Sequence, residues 1–440
     1  MSELNRRTFL KTSSAAVAGA SLATGFPTIL KGQRRDVVRV ATVGVRSRGK
    51  ELTNAVGRVA GGEVVYVCDV DVAMRNNAVE ELKGFQDTPA TALNDFREAL
   101  ADDSIDAVVI AMPDHWHAPA AIMAMQAGKH VYVEKPGSQN AHEGKLIAQA
   151  AKKYNRVVQL GTQQRSDGRT QEAIRAIREG LIGDVYYAKC WYANKRDSIG
   201  FGKIAPPPDG LDYELWQGPA PRQPYQDNLI HYNWHWFRHY GTGESCNNAT
   251  HEMDVCRWAL GVDYPTRATS SGGRYHYHDD WEFFDTQVMS FEFGNDKSIT
   301  WEGRSCNPMG HYGRGRGSTI HGTKGTLLID RDGYIFTDMD GKELRRNVRG
   351  QQTDQTNTVG GGNMTDDHMA NFFAAITDAA PLAAPIEEGQ KSVLLCHLGN
   401  VAQFTGRSLY LNPTDGSIIG DRQAMDMWSR DYEPGWAPVV

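Results

Sequence analysis

The sequence predicts an α/β fold: a doubly wound parallel sheet of Rossmann type, followed by an α+β domain. Three observations carry this prediction. A β-branched run at residues 37–43 passes through a glycine turn into a helical segment. Strand-like and helix-like segments then alternate to about residue 160, the pattern that sets parallel strands side by side with helices on both faces. Beyond residue 164, strand-like runs follow one another with few helices between them.

The first turn reads Gly44-Val45-Arg46-Ser47-Arg48-Gly49. A dinucleotide fingerprint has its second glycine where Arg46 stands, so that backbone can approach a pyrophosphate. Arg46 and Arg48 offer guanidinium groups to phosphates instead. The next strand, 63–68, ends at Asp69, 20 residues after Gly49, the spacing of an acid that bonds ribose hydroxyls. Asp71 adds a second negative charge that would repel a 2′-phosphate, so NAD is expected; Arg46 and Arg48 leave NADP open. A strand at 107–111 leads to a loop, Met112-Pro113-Asp114-His115-Trp116-His117, and a helix at 118–127 stopped by Gly128. The strand 130–134 ends in Glu134-Lys135-Pro136, where proline cannot continue a central ladder. A helix at 141–154 and a strand at 157–160 complete the domain. His117 and Lys135 both fall at carboxyl ends of strands, the side on which open α/β sheets bind ligands.

The second region has a helix at 168–178, a strand at 185–192 and a long proline-rich, aromatic insertion. Further strands are expected at 266–274, 284–293, 298–301, 318–322, 326–329 and 334–337, and amphipathic helices at 365–376 and 389–405. The insertion ends in His231, Trp234, His235, Trp236, His239 and Tyr240. Three imidazoles at spacing four would face a metal if the segment were helical. The same residues can form a packed loop, or a sugar-binding wall of rings against C–H faces. The wall is the expectation, with Trp234, His235 and Trp236 as substrate residues, Asp254 further along, and no metal.

Composition bounds the function. The 440 residues carry a formal net charge of −6, so no global basic field points to nucleic acid. Six scattered cysteines contain no CxxC pair, which argues against a zinc knuckle. Ten Trp and seventeen Tyr suit a carbohydrate-facing protein. The segment Asn5-Arg6-Arg7-Thr8-Phe9-Leu10-Lys11 precedes a mild apolar run at 12–26, too short for a stable membrane anchor. It resembles a twin-arginine signal cut after Ala23, implying a periplasmic protein. The expected organisation is signal and linker over 1–34, dinucleotide-binding domain over 35–163, substrate and oligomerisation domain over 164–407, and a tail over 408–440.

Three stretches, the glycine turn, Pro113-Asp114-His115-Trp116-His117 and Ala127-Gly128-Lys129-His130-Val131-Tyr132-Val133-Glu134-Lys135-Pro136, resemble the Gfo/Idh/MocA oxidoreductase family. The resemblance implies a second domain whose open, mostly antiparallel sheet faces the nicotinamide and makes homo-oligomers. It implies nucleotide contacts from Gly44, Gly49, Asp69, Pro113, His117, Glu134 and Lys135. The stretch 240–254 resembles the family's glycine-rich turn into Asp-x-x-x-His, with Asn247 in place of the aspartate and His251 present. Lys135, Asn247 and His251 are thereby the catalytic candidates. The implied activity is NAD(P)-dependent hydride transfer on a sugar, polyol or glycoside. A redox-neutral NAD-dependent glycosidase is the alternative, and a non-enzymatic periplasmic sugar-binding module is a third.

Overall fold

The computed structural model describes residues 37–349 and 363–440. The expected signal, its cleavage point and the linker lie outside the described residues. The first sheet holds β1 (Val38–Val43), β2 (Gly62–Cys68), β3 (Thr91–Leu93), β4 (Ala107–Ile110), β5 (His130–Val133) and β6 (Val158–Leu160) in the order β3-β2-β1-β4-β5-β6. Every pairing is parallel. The helices are α1 (Arg48–Arg58), α2 (Val72–Leu82), α3 (Phe96–Leu100), α4 (Asp114–Gln126) and α5 (Ala141–Tyr154). The strand order reverses beside β1, which opens a crevice at the carboxyl ends of β1 and β4.

One expected loop is helix. Pro113 takes the cap position of α4, where its fixed φ and missing N–H cost nothing, and Asp114 favours the positive end of the helix dipole. His115, Trp116 and His117 are therefore held in the first turn of a buried helix, not in a loop.

The second sheet contains β7 (Val185–Ala193), β8 (Arg267–Gly273), β9 (Thr286–Phe293), β10 (Lys297–Arg304), β11 (Arg316–Gly322), β12 (Gly325–Ile329), β13 (Gly333–Asp338), β14 (Glu343–Val348) and β15 (Leu409–Tyr410). Its order is β14-β13-β12-β11-β7-β10-β9-β8-β15. Only β7 and β10 run parallel. Its helices are α6 (Gly168–Arg178), α7 (Tyr213–Gln217), α8 (Thr250–Leu260), α9 (Asn363–Thr377), α10 (Ile386–Thr405) and α11 (Arg422–Met425). Met289, Phe291 and Phe293 alternate inward from β9 and share one core with Met253 of α8 and Leu395 of α10, while Val288 and Glu292 face out.

Three segments tie the two sheets together. Met369, Phe372 and Phe373 of α9 enter the core under β1 and β2. The 204–240 insertion is stitched to the first sheet: Val72 N–H donates to Gly210 O at 3.0 Å, and Asp212 N–H donates to Val70 O at 3.0 Å. Asn94 Nδ2 also reaches Asp212 Oδ2 at 2.9 Å. The tail buries groups of the first domain. Arg430 Nε and the Tyr432 hydroxyl both donate to Glu143 Oε1, at 2.8 and 2.9 Å, and Trp436 meets Trp116 edge-on at 5.2 Å. Among the described residues, no helix is long and apolar enough to cross a membrane.

Candidate active site

A cleft opens at the carboxyl ends of β1, β2, β4 and β5, beneath the insertion. Gly44, Arg46, Arg48, Asp69, Pro113, His117, Glu134, Lys135, Trp234, His235, Asn247 and His251 all line it. Gly49 does not, because it sits below the turn, where a Cβ would lie 1.6 Å from Gly44 O. It allows the helix to pack against the strand, the role a third fingerprint glycine has.

The nucleotide half is built from backbone. Gly44 has φ +76°, and a Cβ there would come within 2.8 Å of the Ala111 carbonyl and Met112 nitrogen. That leaves a cradle only glycine permits. Asp69 accepts from Val45 N–H at 2.8 Å and Asp71 N–H at 2.9 Å, so it braces the glycine turn and keeps lone pairs for hydroxyls. Burial raises its carboxyl above the ordinary range. Arg46 is exposed at the rim. Arg48 is turned inward: its Nε donates to Glu134 at 2.8 Å and its Nη1 lies 2.7 Å from Glu51. Arg48 thus supports Glu134 rather than reaching for a phosphate, because a nearly buried carboxylate is the nearer counter-charge. His117 is buried at the floor of the cleft, beside the Met112 backbone. Together these features fit a dinucleotide such as NAD.

Lys135 is the centre of the second half. Its Nζ donates to Asn247 O at 2.5 Å and to Asn247 Oδ1 at 3.0 Å. Both acceptors come from one residue because Ser245–Ala249 forms a π-helical turn before α8, a distortion common at functional sites. Asn247 lies in this bulge, ahead of His251 in the regular helix, and both line the cleft. Burial lowers the Lys135 ammonium, with Glu134 and Asp114 pulling the other way. Burial alone would raise Glu134, but Arg48 and Lys135 hold it below the usual carboxylate range. Gln163 Nε2 also donates to Glu134, at 2.9 Å. Gly161 leaves the room: a Cβ there would lie 2.7 Å from the Glu134 carboxylate.

The imidazoles are held neutral. Burial pushes His117 down to about 4. Burial also takes His251 well below its ordinary range, reinforced by Arg331, Lys135, Arg316 and Arg48. His235 is likewise lowered by burial. Asp114 was not singled out in the sequence, yet it lines the cleft beside Lys135, accepts from the Thr242 hydroxyl and is pushed by burial up to about 7. Its position in the Pro113–His117 stretch, one residue into a helix at a strand end, was the available signal. Gln163 carried none.

Two expected substrate residues lie elsewhere. Trp236 is buried, stacked on Trp281 with centroids 3.9 Å apart, and faces a separate core. A 3₁₀ turn over Asn233–Trp236 sends alternate rings to opposite sides. Asp254 is locked in a buried pair with Arg165. The imidazole row also diverges: His231 reaches Asp71 at 3.2 Å, His235 reaches Tyr232 O at 2.6 Å, and His239 reaches Pro221 O at 2.5 Å. The three share no common point, because the segment is not α-helical.

Residues 38–162 match an oxidoreductase family's NAD-binding Rossmann fold, and residues 212–411 match its C-terminal alpha/beta domain. Residues 3–23 match a twin-arginine translocation pathway signal sequence, which marks the protein for export. A glycosyl hydrolase family 109 protein of Saccharopolyspora erythraea is 30% identical over 220 residues, covering 45% of this chain and 48% of its own. An alpha-N-acetylgalactosaminidase of Shewanella oneidensis is 29% identical over 216 residues, covering 44% and 47%. The chain thus spans about half the length of the curated relatives it matches. Levoglucosan dehydrogenase, solved with NADH and levoglucosan, aligns with TM-score 0.65 at 20% identity over 85% of this chain and 99% of that one. An oxidoreductase from Agrobacterium radiobacter, solved with NAD+, L-tartaric acid and magnesium, aligns with TM-score 0.64 at 13% identity over 85% and 98%. At these identities the likeness to solved structures is one of fold.

Proposed function

Because this chain belongs to the Gfo/Idh/MocA family of NAD-binding oxidoreductases, we propose that it oxidises a hydroxyl-bearing carbon of a sugar or glycoside, in the periplasm. NAD, when bound, supplies the hydride acceptor. The observation that carries the reading is Lys135, fixed at the carboxyl end of β5 by two acceptors of Asn247 and facing a cleft walled by rings. Lys135 donates to the substrate oxygen and stabilises the negative charge that grows there. Asn247 orients the ammonium without neutralising it. Glu134, pinned by Arg48 and Gln163, holds the strand end rigid. A neutral imidazole of the cleft takes the hydroxyl proton. Trp234 lines the cleft and backs the His235 ring.

The test is direct. Mass spectrometry of nucleotide released from native protein should find NAD, and absorbance at the nicotinamide band should rise with some member of a sugar and glycoside panel. Lys135→Ala that folds normally and transfers hydride undiminished would overturn Lys135's role.

A second reading is a redox-neutral NAD-dependent glycosidase. It is favoured by the relatives named glycosyl hydrolases and by a cleft with several neutral imidazoles. Elimination of an aglycone must remove a C–H proton as well as an O–H proton, so it uses more than one acceptor. Release of aglycone from a chromogenic glycoside without accumulation of reduced nucleotide would select it.

A further inference from the structure

Hydride transfer needs one of the cleft imidazoles to take a proton, and four line the cleft: His117, His231, His235 and His251. We propose that His235, on the insertion, is that acceptor; this rests on the hydride-transfer reading and deepens it by one residue. His235 Nδ1 lies 2.6 Å from the carbonyl oxygen of Tyr232. A carbonyl oxygen only accepts, so Nδ1 carries the hydrogen. In a neutral ring this leaves Nε2 as a bare acceptor. The ring is clamped: it stacks on Trp234 with centroids 3.6 Å apart at 19°, and Tyr232 lies against it at 4.6 Å. The rotation that would exchange its nitrogens is blocked. His235 lines the cleft together with Lys135.

The other three are less suited: His231 already engages its Nε2 with Asp71, at 3.2 Å. His251 makes no hydrogen bond through its ring among the described residues, so nothing selects its tautomer. Cations act on both rings, Arg331, Lys135, Arg316 and Arg48 on His251 and Lys135 and Arg196 on His235, so it is the tautomer that separates them. His117 sits at the cleft floor, is 2% exposed, and has only the Met112 backbone beside its ring nitrogens. His235 alone combines a fixed tautomer, a fixed ring plane and access to the cleft, the arrangement in which a third group orients a base.

The step balances. The substrate O–H bond breaks and its proton goes to His235 Nε2. The O–H electron pair becomes the second bond of the carbonyl, and the C–H hydrogen leaves with its pair as hydride to the nicotinamide. The products are a keto sugar, a reduced nicotinamide and an imidazolium that later yields its proton to solvent.

His235→Phe tests this, because phenylalanine keeps the stack on Trp234 and removes the acceptor. With full-length NAD-loaded protein and a panel of methyl glycosides, kcat should fall by roughly 10²- to 10⁴-fold with KM little changed. Retained nucleotide should be unaltered, and added imidazole should restore turnover to His235→Ala. His251→Asn should lose less. Wild-type turnover by His235→Phe, or the larger loss falling on His251→Asn, would overturn the assignment. Nitrogen NMR of labelled protein reports the tautomer without any substrate: a proton on Nε2 overturns the assignment, and one on Nδ1 supports it. No hydride transfer by the wild type to any glycoside would instead refute the underlying reading.

Discussion

Replacing Asp254 by alanine should damage stability, not substrate binding. The Asp254 carboxylate takes Arg165 Nε at 2.6 Å and Nη2 at 2.9 Å, and Ser392 Oγ at 2.7 Å. The side chains are 7% and 2% exposed, and the guanidinium lies over Trp258 at 5.1 Å. Alanine would leave the Arg165 charge buried with only a ring face and a distant Glu388 to compensate it. Breaking such a pair from one side costs about 3–5 kcal/mol. With a urea dependence of about 3 kcal/mol per molar for a chain of this size, the midpoint should fall by roughly 1–1.7 M. Tryptophan fluorescence in a urea series measures it. Replacing both partners, Asp254→Leu with Arg165→Met, should recover most of the loss, since it removes the stranded charge. Burial alone would raise Asp254, but Arg165 holds it below the usual range. Its contribution is therefore complete above the unfolded carboxyl range and is lost as pH falls through the lowered folded value. An unchanged urea midpoint accompanied by a raised KM would refute this reasoning and return Asp254 to the substrate.

Other outcomes follow from the same geometry. Gly44→Ala forces a Cβ against unyielding backbone at 2.8 Å and a positive φ on an L-residue, so native mass spectrometry should find nucleotide occupancy reduced at least tenfold, about 1.4 kcal/mol or more, with the circular dichroism retained. Asp114 is pushed by burial from 3.8 up to about 7, so the unfolded chain ionises first and stability declines as pH rises from about 4 to about 7, then levels. Asp114→Asn lacks this titration, and its stability advantage over the wild type should grow through that window in urea midpoints measured at each pH. A pH-independent difference would refute it. Arg430→Ala should cost about 3 kcal/mol by unpairing the fully buried Glu143 carboxylate, whereas Arg407→Ala, an exposed partner of Asp421, should cost under about 1 kcal/mol in the same assay.

The sequence was most informative where local chemistry and tertiary role coincide. Gly44, Asp69 and Lys135 could be assigned because glycine conformation, strand ends and spacing are local properties. β14 was missed because Glu343–Val348 is charged and exposed, paired on one side only; an edge strand needs no apolar alternation. Arg48 and Asp254 were assigned to ligands because a charge in a sequence does not reveal its partner. Their counter-charges, Glu134 and Arg165, lie 86 and 89 residues away and meet them only on folding. Trp234, His235 and Trp236 were read as one wall, but a 3₁₀ turn rotates neighbours about 120° apart, so the pattern that marked the cluster could not say which ring faces the cleft. The π turn at Ser245–Ala249 likewise changes the register of Asn247 against His251, and no residue type marks such a bulge.

The tail's grip on Glu143 has a consequence for the order in which the molecule is made. Synthesis runs from the amino end, so α5 and its carboxylate leave the ribosome nearly three hundred residues before Arg430, which bonds Glu143 across a separation of 287. Until those last residues emerge, Glu143 must stay hydrated and the Trp116 edge that receives Trp436 stays bare. The nucleotide-binding half can gather early, but Glu143 and the Trp116 edge are covered only once residues 430–436 dock. A chain clipped before Arg430 would therefore be distinguishable by a wet carboxylate and an open tryptophan face.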